Sequence, residues 1–144
     1  MVVYTPKDWG PHGWKFIHFV TLGYPDNPSN EDKINYKNFL TSIKNILPCS
    51  FCSNHYKQNL INNPLDENVL SSRINLINWG IKVHNAVNKS NGIKEYSFEE
   101  GLELIKNNQD THTKNNYIGT ILIISFILFS LYYIYKKKLI TLNI

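Results

Sequence analysis

From Tyr117 to Tyr135 the chain carries no charged residue, and Ile, Leu, Phe and Tyr fill most of the stretch. Those nineteen residues, rising about 1.5 Å each in a helix, reach about 28 Å, close to the ~30 Å hydrocarbon core of a bilayer. The core helix of a globular domain is the alternative, but such helices usually keep a polar face. Tyr132, Tyr133 and Tyr135 gather at one end, and Lys136, Lys137 and Lys138 follow at once. Interfacial aromatic belts and snorkelling cations produce this order. A transmembrane helix over 117–135 is therefore expected, with a lipid bilayer as partner and a short basic tail over 136–144.

A single domain remains for residues 1–107, joined to the bilayer by a polar linker over 108–116. The whole chain has a net charge of +4. Up to Asn116, however, twelve Lys and Arg face eleven Asp and Glu, so the domain is nearly neutral. No basic face argues for nucleic acid, and that partner class is excluded. No charged-then-apolar leader opens the sequence. The apolar segment emerges late in synthesis, which puts the domain on the cytosolic side of a C-terminally anchored chain. The lysines behind the segment favour the opposite orientation; the missing leader outweighs them.

Periodicity predicts an all-α fold, and no convincing strand alternation is present. A first helix runs from about Gly10 to Leu22, with Trp14, Ile17, His18 and Leu22 on one face, and Tyr24-Pro25 and Pro28 end it. Ser29 with Glu31 and Asp32 opens a second, carrying Ile34, Phe39, Ile43 and Leu47 until Pro48. A third begins at the cysteines and continues through Tyr56 and Leu60 to Asn62-Asn63-Pro64. A fourth runs from near Ser71 to about Asn88, and a short fifth, capped by Ser97 with Glu100, spans Phe98 to about Asn107. The architecture implied is a four-helix bundle plus a short fifth helix, followed by the membrane helix.

Pro48-Cys49-Ser50-Phe51-Cys52 holds the only two cysteines. Their spacing allows a small-loop disulfide that opens and closes. A structural staple is a poor explanation, because so short a loop constrains the unfolded chain little. At a helix start the first thiol sits in the field of unsatisfied N–H groups, which favours thiolate, the species that attacks disulfides. Three other readings compete. A structural zinc site wants four ligands, and His55 has no properly spaced histidine partner. Inert cysteines sharing a turn are another. A thioredoxin-like motif would follow a strand in an alternating βα chain.

Taken together, the motifs from about Asp8 to Tyr96 resemble the FAD-linked sulfhydryl oxidases of the ERV/ALR family, particularly the compact versions of large DNA viruses. Trp9-Gly10-Pro11-His12-Gly13-Trp14 with Ile17-His18 is similar to the family's opening helix, and Tyr24-Pro25 with Pro28 to its exit turn. Leu47-Pro48-Cys49-Ser50-Phe51-Cys52 resembles the active-site Pro-Cys-x-x-Cys. Trp79 and His84-Asn85-Ala86-Val87-Asn88 resemble the Trp helix and the His-Asn-x-Val-Asn motif on the adenine side. Beyond Asn88, Gly92-Ile93-Lys94-Glu95-Tyr96 departs from the family's Gly-Lys-Pro-x-aromatic: Lys94 is displaced by one and the Pro is missing, while Tyr96 keeps register.

The resemblance implies an enzyme that forms disulfides through a Cys49–Cys52 pair and passes electrons to FAD and then to oxygen, giving hydrogen peroxide. It implies Cys49 as the interchange cysteine and Cys52 against the isoalloxazine ring. Gly10, Trp14, His18, Cys52, His55, Trp79, His84, Asn85, Val87, Asn88 and Tyr96 are the implied cofactor-binding residues, and no metal is needed. Implied partners are substrate protein thiols or a thioredoxin-like relay protein, and a second copy in a homodimer. The rival reading is a non-enzymatic, tail-anchored helical adaptor whose cysteines are incidental.

Overall fold

A computed structural model describes the backbone over residues 5–142 and the side chains of 5–107 and 119–136. Five α-helices are present among the described residues, and no strand. Helix α1 is Pro6–Leu22, α2 Asn30–Ser42, α3 Ser50–Asn62, α4 Arg73–Ser90 and α5 Phe98–Leu142. Single 3₁₀ turns extend α2 (Ile43–Asn45) and precede α4 (Val69–Ser71).

Local chemistry sets most boundaries. Pro6 opens α1, and a Thr5–Asp8 capping box satisfies its first donors. Ser29 and Asp32 cap α2 reciprocally, with Asp32 N–H donating to Ser29 Oγ at 3.1 Å. Ser72 caps α4, and Ser97 receives Glu100 N–H at 3.1 Å at the start of α5. The helix starts at Pro6, four residues before Gly10, and runs through Pro11, its sixth residue, which forgoes one i→i−4 hydrogen bond.

The chain divides into two compact units, Met1–Ile105 and Lys106–Ile144. In the first, α1 to α4 converge on one core that includes Ile17, Leu40, Tyr56, Leu76, Trp79 and Val83. Its buried aromatics each find a partner for the polar end: Tyr24 Oη donates to Leu70 O at 2.8 Å, Tyr56 Oη to Leu40 O at 3.0 Å, and Trp79 Nε1 to Asn63 O at 2.9 Å. Arg73 anchors the exit turn of α1, donating to Tyr24 O and pairing with Asp26 at 3.1 Å. A smaller cluster of Ile77, Ile81 and Ile105 seats the start of α5. Gly101 makes that possible, since a Cβ there would lie 3.0 Å from Ile81 Cδ1.

The second unit is helical. The stretch 108–116 reads as a linker by composition, yet its backbone continues α5, because no proline or glycine interrupts 102–118. A short fifth helix ending near Asn107 is thus replaced by one that runs on. Within it Gly119–Lys136 is the one segment among the described residues long and apolar enough to cross a membrane, and none of its residues is buried. The side chains of Tyr117, Lys137 and Lys138 lie outside the described residues, as does the structure of the chain's last two residues.

Leu76 is fully buried at the centre of the main core. Leu76→Ala is expected to lower unfolding stability by about 2–5 kcal/mol through lost transfer energy and a residual cavity. Denaturant melting monitored by circular dichroism checks this.

Candidate active site

Cys49 is the N-cap of α3, in extended backbone conformation. Its Sγ accepts Cys52 N–H at 3.1 Å, and its carbonyl accepts Ser53 N–H at 2.9 Å. The two sulfurs are joined as a disulfide with Cα atoms 5.2 Å apart, and both residues are half-buried. Negative charge on Cys49 is therefore stabilised by a backbone donor and by the helix terminus. Cys52 lies one turn before Tyr56, whose ring is in the main core and whose hydroxyl donates to Leu40 O, so this face of α3 is the inward one.

A second constellation joins α1 and α4. Gly10, Trp14 and His18 recur at four-residue intervals on α1, as do Gly80, His84 and Asn88 on α4. Where the rows meet, Trp14 stacks on His84 with ring centroids 4.2 Å apart and planes 8° from parallel. His18 Nε2 and His84 Nδ1 share one hydrogen at 3.0 Å. Burial holds both imidazoles down to about 4, and for His84 the neighbouring His18 adds to the effect. Both rings are thus neutral near pH 7. One donates to the other, which leaves one donor and one acceptor at the outer nitrogens, His18 Nδ1 and His84 Nε2.

His18 Nδ1 is buried and has no hydrogen-bond partner among the described residues; Trp9 Nε1 is in the same position. Such orphans cost about 1–3 kcal/mol each when nothing satisfies them. A site that receives polar atoms from a ligand explains them. Gly10 adds space, since a Cβ there would meet nothing within 4 Å.

The other candidate residues are placed differently. Trp79 is core, with its indole N–H already committed to Asn63. Asn85 spends both ends of its amide on the Tyr96 backbone, donating to Tyr96 O at 2.7 Å and accepting Tyr96 N–H at 3.0 Å. It thereby fixes Tyr96. Asn88 is buried and its carbonyl accepts Ile93 N–H at 2.9 Å, while Val87 is half-buried. His55 packs on Phe51, centroids 4.1 Å apart. Lys94 pairs with Glu100 at 2.7 Å.

Thr21 and Gly80, which pack against His18, were not singled out from sequence, and Trp9 was quoted only within the opening motif. Thr21 is fully buried and donates to His18 O at 2.9 Å. Gly80 would place a Cβ 3.3 Å from Thr21 Cγ2 and 3.7 Å from His18 Nδ1. An isolated glycine inside a helical pattern was the available signal. A cavity of about 280 Å³ lies elsewhere, between the end of α3 and the start of α4, lined by Asn62, Asn63, Asn75, Trp79 and Lys82 among others. Ten residues of helix, about 15 Å, separate it from Cys52. The disulfide lies at the opposite end of α3 from this cavity.

The model of the Erv1 / Alr family matches residues 11–110. The chain belongs to this family. It is 42% identical over 113 residues to the probable FAD-linked sulfhydryl oxidase R368 of Acanthamoeba polyphaga mimivirus, covering 78% of this chain and 79% of that one. It is 27% identical over 114 residues to the FAD-linked sulfhydryl oxidase of African swine fever virus (isolate Tick/Malawi/Lil 20-1/1983), covering 77% and 93%. Of the Arabidopsis thaliana FAD-linked sulfhydryl oxidase ERV1 it spans only 44%, at 33% identity. The crystal structure of the FAD binding domain of Erv1 from Saccharomyces cerevisiae superposes with a TM-score of 0.66 at 25% identity, over 72% of this chain and 96% of that one. The yeast Erv1 core gives the same TM-score at 24% identity and supports the fold alone.

The buried histidines predict a pH dependence. Their folded values lie below the ordinary 6.5, so between pH 6.5 and about 4 the unfolded chain binds more protons than the folded one. Their contribution to stability is complete above pH 6.5 and declines as pH falls, by about 2 kcal/mol per histidine at pH 5. Denaturation midpoints of wild type and His84→Gln between pH 7.5 and 4.5 measure it: the wild type should lose more stability than the variant over this range.

Proposed function

We infer that this chain is an FAD-linked thiol oxidase that makes disulfides through Cys49 and Cys52. The observation that carries the reading is a disulfide seated on a helix N-terminus in a chain of the Erv1 / Alr family. When bound, FAD supplies a two-electron acceptor that can pass its electrons to oxygen, giving hydrogen peroxide. The residues fit such a group. Trp14 and His84 offer a flat, half-exposed wall. His18 Nδ1 and Trp9 Nε1 offer buried polar atoms that lack partners in the protein. Gly10 leaves room for close approach, Asn88 and Val87 continue the α4 row, and Asn85 acts through Tyr96. Trp79 backs the site from the core, and His55 and Cys52 complete the set on α3.

Exchange starts at Cys49. A substrate thiolate bonds to Cys49 Sγ, the Cys49–Cys52 bond breaks, and Cys52 leaves as thiolate. A second substrate thiolate then attacks the substrate's own sulfur and releases Cys49. That departure is favoured, because a thiolate at the N-cap keeps the Cys52 N–H and the helix field. Cys52 is the member that faces the cofactor, since its helical face leads into the core shared with Trp14 and Trp79.

The same reading extends to assembly and location. Phe16 is 57% exposed on α1 and meets Phe39 of α2 edge-on at 6.0 Å. An apolar face of this kind suits a second copy, and we assign it to a homodimer. Gly119–Lys136 anchors the oxidase domain (residues 1–107) in a bilayer, with the domain on the cytosolic side and 108–116 as a helical spacer. The redox partners are substrate protein thiols or a thioredoxin-like relay.

The purified protein should be yellow, with a flavin band near ~450 nm, and should consume oxygen when given a dithiol. Cys49→Ser and Cys52→Ser should each retain the colour and reduce oxygen consumption to background. A colourless, folded protein, or turnover that survives either substitution, would refute the assignment.

A further inference from the structure

The disulfide is bracketed by large apolar side chains that the core leaves unused. Ile46, three residues before Cys49, is 73% exposed, and Phe51, inside the redox loop, is 65% exposed. The twelve residues from Asn45 to Tyr56 contain no Asp, Glu, Lys or Arg, although 18% of the chain is charged. Isolated apolar side chains on a surface are ordinary. These two differ in position: a molecule that forms a mixed disulfide at Cys49 comes within two or three residues of both. The segment that carries them is also restrained. Phe51 leans on His55 at 4.1 Å, and the backbone of Ile46 is tied by its N–H to Ile43 O at 3.1 Å. The ring contact lowers what Phe51 loses on binding, which favours it.

We propose that Ile46 and Phe51 form an apolar platform that selects thiol substrates by the residues flanking the cysteine. It favours a polypeptide cysteine beside aliphatic or aromatic side chains over a small hydrophilic thiol. The occupant is an extended or locally unfolded substrate segment, because in a closed domain such flanking residues are buried. The inference rests on the reading of Cys49–Cys52 as the exchanging pair. Docked there, one substrate thiolate bonds to Cys49 as the Cys49–Cys52 bond breaks, and a second displaces Cys49. The substrate loses two electrons and two protons and gains one disulfide; the enzyme pair takes up both and ends as a dithiol.

The test uses the full chain, solubilised with its flavin, and follows oxygen consumption. Three substrates are compared: a flexible dithiol peptide with Phe and Leu beside each cysteine, the same peptide with Ser and Gln there, and dithiothreitol. The apolar peptide should have kcat/KM about tenfold above the polar one, expressed mainly in KM. The double substitution Ile46→Ser with Phe51→Ser should bring that ratio close to one. Both positions are exposed, so the fold should tolerate the change. An altered potential of the pair would move all three substrates together, which is why the ratio between peptides is the readout. Equal kcat/KM for the two peptides in the wild type, or a ratio that survives the double substitution, overturns the platform while leaving the oxidase intact. Failure to oxidise any of the three removes the oxidase reading, and the platform with it.

Discussion

The close approach of α1 and α4 at Gly80 is the constraint on which the rest of the site depends. Without a Cβ at this position, Thr21 and His18 sit directly against the α4 backbone. That proximity brings His18 and His84 within hydrogen-bond range and lets Trp14 lie flat on His84. A Cβ at position 80 would lie 3.3 Å from Thr21 Cγ2, so Thr21 would have to give by a few tenths of an ångström. The hydroxyl of Thr21, turned back onto His18 O, satisfies the polar group that Thr21 brings into this contact.

The arrangement gives up some stability. Two imidazoles are buried in neutral form, and two ring nitrogens are left without a partner among the described residues. A structural core would replace these groups by apolar ones of similar size, at a gain. Their presence is reasonable where a polar ligand completes the set. The redox pair is arranged on a different principle. It depends on the terminus of α3, where backbone donors stabilise a thiolate. The disulfide adds little to folding, because so short a loop removes little entropy from the unfolded chain.

Much of the local structure was legible from residue order. The caps at Ser29 and Ser97, the start of α3 at Cys49 and its end at Asn62 all involve partners within four residues. The polar stretch 108–116 reads as a linker, and its backbone is helical, since polarity without a breaker does not end a helix. Thr21 and Gly80 were not legible from residue order, since their packing depends on what lies opposite rather than on their neighbours in the chain.

The sequence by itself determined the helical class, the redox spacing, the apolar span and the family, because each rests on short-range periodicity or on a motif. Only the tertiary structure decided which side chains meet. It paired His18 with His84, committed Asn85 to the backbone of Tyr96 and left Ile46 and Phe51 exposed beside the disulfide. The physical reason is that periodicity gives the direction of a side chain from its own helix. What it touches is set by the crossing of two helices, through a steric gap as small as one missing methyl group.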